Sequence, residues 1–174
     1  KGTKRLLSIA IQMINTSSNG IILIDEIEQG LEPDRVQHLV KTLKNYSNYQ
    51  FIFTTHSSNV VTELGVSDLC IMRRKANRLL DIPKTIAMQK CVRHNSEALF
   101  ARKIIIGEGA TEVGLCRALN DNRMTNGKES MSYLGIKILD GTGNSGVEYA
   151  ETLNKLGFKI AFLCDSDEAN TNLK

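Results

Sequence analysis

No apolar run in this 174-residue chain approaches the ~20 residues that a bilayer-spanning helix needs, so the expectation is a globular cytoplasmic protein with no membrane partner. The opening residues, KGTKRLLSIA, are charged and lead straight into a helical pattern, which excludes reading them as a signal peptide. The four cysteines (Cys70, Cys91, Cys116, Cys164) show no close pairing, and three of them sit inside apolar runs or helical patterns. That is how reduced thiols are used, and a zinc site is not expected. Missing too is any GxxxxGK(S/T) loop, and with it a backbone cradle for a triphosphate. Net charge is scarce: +3 names no partner. Its distribution is uneven, with nine Lys/Arg between Arg73 and Lys103 (73, 74, 75, 78, 84, 90, 93, 102, 103) against Asp81 and Glu97. This stretch either follows a phosphate backbone or is a solvated joint between two domains. No base-reading element is visible.

What is there is enough apolar content, 41%, for the core of one ordinary domain or two small ones. Leu7, Ala10, Ile11 and Ile14 recur at helical spacing and predict an amphipathic helix over roughly residues 3–16, ended by the polar turn TSSNG. Ile21 to Ile24 reads as a buried strand closing on Asp25 and Glu26. A helix follows from about Pro33, with Val36, Leu39, Val40 and Leu43 on one face; proline in the first turn suits a helix start. QFIFT, Gln50 to Thr54, predicts a second strand, and Val60, Val61 and Leu64 a short helix. Helix, strand, helix, strand, helix implies a parallel sheet with crossovers.

From Ser67 to Lys90 the pattern loosens: DLCIMRR and NRLLDIP are candidate strands, followed by a basic, irregular passage. NSEALFA opens with Asn95 as a helix cap, and the domain boundary is drawn there. Beyond it, Lys103 to Gly107 is a strand, GEGATE a turn, and Val113, Cys116 and Leu119 the inward face of a helix. Ile136 to Leu139 is the next strand, DGTGNSG a turn, Val147, Ala150, Leu153 and Leu156 a helix face, and Ile160 to Cys164 the last strand. KIIIGEGATE and KIAFLCDSDE are the two stretches around which this half is organised. In each, a β-rich run ends in acid, as when a buried strand delivers carboxylates to the edge of a parallel sheet. Glu108, Glu112, Asp165 and Asp167 would then share one edge. Four carboxylates cannot all stay ionised together without a counter-charge, and oxygen ligands suit magnesium or manganese. A dinucleotide role for GEGATE is disfavoured, because Glu112 replaces the third glycine and Glu108 would repel a pyrophosphate. A haloacid-dehalogenase reading of DSD is weak, since Glu168 follows where that family has Thr or Val. Asp140 is either part of the acidic group or a turn residue, and Asn144 is a weaker candidate.

In the first half, an aspartate at a strand end can hold magnesium on phosphates, and a neighbouring glutamate can orient or deprotonate water. GTKR (Gly2 to Arg5), LIDE (Leu23 to Glu26), GLEP (Gly30 to Pro33) and FTTHSS (Phe53 to Ser58) stand in that order. They resemble the end of the signature motif, the Walker B strand, the D-loop and the switch histidine of an ABC-type ATPase. In the second half, IIIGEGATE resembles the first-strand glutamate motif of a Toprim domain, the metal-dependent catalytic fold of topoisomerases, bacterial primases and certain nucleases. DGTGN is similar to its intermediate glycine-rich loop, and FLCDSDE to its DxD strand. An ABC-type ATPase joined to a Toprim domain is the arrangement of the OLD-family nucleases (overcoming lysogenisation defect), including the nuclease subunit of Gabija anti-phage systems. The resemblance covers nearly the whole chain.

The resemblance implies an α/β fold: the C-terminal half of an ABC-type P-loop ATPase domain over residues 1–94, then the N-terminal part of a Toprim domain, with a parallel, Rossmann-like sheet, over 95–174. It implies a metal-dependent DNA endonuclease or nickase regulated by the ATPase, in anti-phage defence or DNA processing. Glu108, Glu112, Asp165 and Asp167 would hold one or two magnesium or manganese ions, which can activate water and stabilise the leaving oxygen. Asp25 would be the magnesium-side residue of the ATPase, Glu26 its hydrolytic base and His56 its sensor of the terminal phosphate. Gly2 and Thr3 would contact ATP held by another copy, so a homo-oligomer through the ATPase part is expected. DNA is the expected partner, with a helicase or other defence-system protein beside it. Because residue 1 falls inside the signature-like stretch and the chain stops at Lys174, the expectation is a fragment: a poor ATP binder alone, and catalytically incomplete. The alternative is an ATP-dependent DNA-binding clamp of the recombination type whose Toprim-like half does not cut. A third reading is an assembly scaffold.

Overall fold

The computed structural model describes residues 2–17, 19–73, 78–142 and 145–165, and the chain divides into two compact units, Lys1–Gly65 and Val66–Lys174. In the first unit, helix α1 (Gly2–Asn15) leads to strand β1 (Ile21–Ile24), helix α2 (Pro33–Lys44), strand β2 (Gln50–Phe53) and the short helix α3 (Ser58–Thr62). β1 and β2 pair in parallel, Ile21 opposite Gln50 through Ile24 opposite Phe53, which is the crossover pattern that the alternation of elements predicts. Pro33 sits in the first turn of α2, and Val36, Val40 and Leu43 are buried.

Two expectations of burial are revised. β1 alternates: Ile22 and Ile24 are buried, whereas Ile21 and Leu23 are exposed, so one face of the strand is uncovered by the described residues. In α1 the buried residue is Ile9, and the stripe of Leu7, Ile11 and Ile14 is exposed. A helix buries whichever face meets a partner, and a sequence stripe does not say which partner is present.

The second unit opens with a 3-10 turn (Val66–Asp68) and the antiparallel strands β3 (Cys70–Arg73) and β4 (Arg78–Asp81). The basic passage that follows is not irregular. It forms helix α4 (Ile86–His94), where Thr85 Oγ1 accepts from the Met88 N–H and Met88, Cys91 and Val92 are buried. Pro83, a capping threonine and apolar residues at 88, 91 and 92 are a legible helix signal that the density of charge conceals. Ser96–Phe100 is a 3-10 helix, and Asn95 makes no side-chain cap to it.

Then come β5 (Lys103–Gly107), α5 (Ala110–Thr125), β6 (Ile136–Asp140), α6 (Ser145–Lys155) and β7 (Lys159–Leu163). The three strands form one parallel sheet in the order β6-β5-β7, with β5 central. Central position explains why its residues are apolar on both faces. Ile104 and Ile106 on it, Leu139 on β6 and Leu153 on α6 are each no more than 1% exposed, a burial that stabilises by about 1.5–3 kcal/mol per side chain. Leu119 is 48% exposed and is not on the inward face of α5. The helix has 16 residues against strands of five, so its later turns run past the sheet. Among the described residues no helix is long and apolar enough to cross a membrane.

Candidate functional site

In the second unit, register decides which residues meet. Gly107 pairs with Asp140 on one side and with Leu163 on the other, so the carboxyl ends of all three strands lie in one row. Open parallel sheets bind ligands at such an edge. The Glu108 N–H donates to the Leu163 carbonyl at 2.9 Å, and the Asp165 N–H lies 3.3 Å from Glu108 Oε2. Glu108 and Asp165 are therefore brought together. Asp167 and Asn144 lie outside the described residues.

Glu112 has a second occupation. It is 9% exposed, and its Oε2 accepts from the Gly109 N–H at 2.9 Å, so it satisfies an orphan donor at the start of α5. A negative charge there also suits the helix dipole. Asp140 Oδ1 accepts from the Thr142 N–H at 2.7 Å, and Thr142 has φ of 49°. Asp140 thus works as a turn residue, an Asx-type brace for a left-handed position. Glycine is required beside it: a Cβ on Gly141 would meet the Gly107 carbonyl oxygen at 2.8 Å and Gly146 Cα at 3.0 Å.

The donor chemistry of this edge fits a hard divalent cation. Glu108, Glu112 and Asp165 are oxygen donors, and none of the three has a Lys, Arg or His partner among the described residues. Among the described residues no three His, Cys, Asp or Glu converge.

In the first unit, Thr54 joins the two acidic residues after β1. Its hydroxyl donates to Asp25 Oδ1 at 2.6 Å and accepts from the Glu26 N–H at 2.8 Å. Glu26 has φ of 47°, a left-handed conformation that costs a non-glycine residue stability and tends to be kept at functional positions. The Arg5 guanidinium donates to the carbonyls of Asp25 and Glu26, which ties α1 to this turn. Glu28 holds the switch-like segment: Oε2 accepts from Thr55 Oγ1 and Oε1 from the His56 N–H, both at 2.7 Å. Thr54, Arg5 and Glu28 are the residues that motif reading missed. Their signal is weak, since each is a common polar type whose role depends on a contact distant in sequence. Gly2 has a packing reason to be glycine, because a Cβ there would meet the Gly30 carbonyl oxygen at 2.5 Å. Thr3 is exposed on α1.

Comparison with known families follows this division. Residues 1–62 match the family model of an AAA domain, whose description also names AbiEii toxin and a type IV TA system. Residues 99–167 match the model of the TOPRIM domain of proteins like the overcoming lysogenization defect protein. No curated protein matches the chain. AAA and TOPRIM domains in general use ATP and divalent metal, and the pair marks a nuclease and ATPase family. The first segment is therefore similar to the AAA domain family and the second to the OLD-like TOPRIM family, a pairing consistent with an OLD-family ATPase–Toprim protein.

Proposed function

We propose that the acidic edge of the β6-β5-β7 sheet is the hydrolytic centre of a metal-dependent DNA endonuclease or nickase, and that the ATPase part controls its assembly or its access to DNA. The observation that carries this reading is the meeting of Glu108 and Asp165, 57 residues apart, at the carboxyl edge of a parallel sheet with no cationic side chain paired to either among the described residues. Hydrolysis of a phosphodiester adds water across a P–O bond, and negative charge grows on the phosphate as it does so. Bare carboxylates would oppose that charge. Glu108, Glu112, Asp165 and Asp167 would hold magnesium or manganese, which would supply the missing positive charge and Lewis acidity toward the phosphate. The chain's own contribution is position: the central strand and its parallel neighbour β7 place Glu108 and Asp165 just beyond their ends, while Gly107 lets the first turn of α5 approach and Gly141 lets the end of β6 approach that of β5.

In the ATPase part, Asp25 is the magnesium-side residue, Glu26 the base that orients water and His56 the sensor of the terminal phosphate. Gly2 and Thr3 face nucleotide held by a second copy. Thr54 engages one oxygen of Asp25, which orients the carboxylate toward such a role. Anti-phage defence or DNA processing is the setting.

A non-cleaving DNA clamp is the second reading, favoured by the Glu112 carboxylate being engaged at the α5 start. The test is cleavage of supercoiled plasmid by the intact protein in magnesium or manganese, wild type beside Asp165→Ala, with and without ATP. A metal-dependent cut lost in the variant is expected. Equal cutting by both proteins would overturn the assignment, and DNA binding without a cut by either would favour the clamp.

A further inference from the structure

Next to the acidic edge, the second unit has a cleft of about 310 Å³ lined by Lys90, His94 and Asn95 at the end of α4 and by Thr142, Ser145 and Tyr149 around the start of α6. Thr142 is the residue whose N–H caps Asp140, so the cleft opens two residues beyond the end of β6. All six lining side chains carry an N–H or O–H donor, and none is a carboxylate. Lys90 and His94 are exposed and have no ion pair among the described residues. Ser145 opens an 11-residue helix, whose N-terminal end presents N–H groups and positive dipole.

Tyr149 is the second, independent indication. It is 1% exposed, it lines the cleft, and its hydroxyl has no hydrogen-bond partner among the described residues. A buried tyrosine ordinarily finds a partner for its O–H. Here the ring is fixed in the core, while the hydroxyl, which is not among the buried polar atoms lacking a partner, meets the solvent of the cleft, where an entering ligand can reach it. Donors on every lining side chain with no carboxylate among them, the Lys90 ammonium and a helix N-terminus favour an oxyanion over a cation.

We infer that this cleft binds a phosphate of the DNA strand on which the acidic edge acts, and so orients the strand across that edge. The inference rests on the proposed nuclease reading for the identity of the anion. Binding energy taken from a phosphate away from the reacting one is a usual way to position a substrate. The site carries no sequence information, because it meets the backbone only.

The test is anisotropy of a fluorescein-labelled single-stranded deoxyoligonucleotide with the intact protein in EDTA, where no cut can occur, for wild type, Lys90→Gln and Tyr149→Phe. Inorganic phosphate serves as competitor. Both substitutions leave the apolar part of the side chain largely in place, and circular dichroism melts of each variant check that the fold is kept. Each is expected to bind about fivefold or more weakly, a loss of one or two charge or hydroxyl contacts, and Lys90→Gln to lower the slope of log affinity against log salt by about 0.7. Phosphate should displace the oligonucleotide from wild type more readily than from the variants. Unchanged affinity and slope in both variants would overturn the inference. So would phosphate binding that depends on Lys90 and Tyr149 while oligonucleotide binding does not, since the site would then take free phosphate. Weakened binding by both variants in a protein that never cuts plasmid would uphold the cleft and sink the nuclease reading; cutting and binding unaltered by either variant would do the reverse.

Discussion

Glu112 is asked to do two things, and two substitutions separate them. In Glu112→Ala the Gly109 N–H loses its acceptor at 2.9 Å and the start of α5 loses its negative charge. Removing a side-chain acceptor at a helix N-terminus costs about 0.5–2 kcal/mol, and the site is only 9% exposed, so water replaces the bond poorly. About 1.5 kcal/mol is a reasonable centre, which for a chain of this size lowers the melting temperature by about 3–6 °C. Glu112→Gln keeps an oxygen acceptor in the same place and gives up only the charge, the smaller share of a charge-assisted bond, about 0.5–1 kcal/mol. It should melt within about 1–4 °C of wild type. A neutral amide is a much poorer ligand for a hard cation than a carboxylate, so the metal-dependent cut should fall in both variants alike. The assay is a thermal melt by circular dichroism beside plasmid cleavage in magnesium. If the alanine variant melts with wild type, the capping argument is wrong. If the glutamine variant cuts like wild type, Glu112 is a cap and not a ligand.

Thr54→Val removes the hydroxyl that bridges Asp25 and the Glu26 N–H; a loss of about 1 kcal/mol in stability and a fall in nucleotide hydrolysis are expected, and an unchanged hydrolysis rate would show that Asp25 needs no such brace. Gly141→Ala puts a methyl 2.8 Å from the Gly107 carbonyl oxygen, on backbone that has little room to yield. A cost of about 1–3 kcal/mol should appear as a lower urea midpoint, and no shift would mean that the strand ends relax. Burial pushes the Cys91 thiol from 9.0 up to about 12. A raised folded value means that its contribution is intact below pH 9.0 and is lost as pH rises towards about 12, so stability should fall by about 1.4 kcal/mol between pH 8 and 10. Cys91→Ala should lack that slope, and an equal slope in both proteins would refute the assignment.

Several features were legible because they depend on neighbours in sequence. β5 occupies the residues that its apolar run predicts, and α2 begins at the proline that suits a first turn. The alternation of strands and helices was enough for parallel pairing, since a crossover helix can return the chain only to a parallel neighbour. Helix α4 was hidden because charge density masked a short buried stripe. The uncovered stripe of α1 and the outward Leu119 misled for a related reason: apolar spacing shows that a face could be buried, and only the packed partner shows that it is.

At the site the division is sharper. Sequence alone determined the chemistry, because strand ends in GEGATE, DGTGN and CDSD supply oxygen donors and glycines whatever the fold does with them. Register alone determined the company: Gly107 opposite both Asp140 and Leu163 puts Glu108 beside Asp165, assigns Asp140 to a turn and gives Glu112 a helix start to cap. The same holds for Thr54, Arg5 and Tyr149. A hydroxyl or guanidinium is ordinary in a string of residues, and its role is set by which distant group folding brings within 3 Å or so or, for Tyr149, fails to bring.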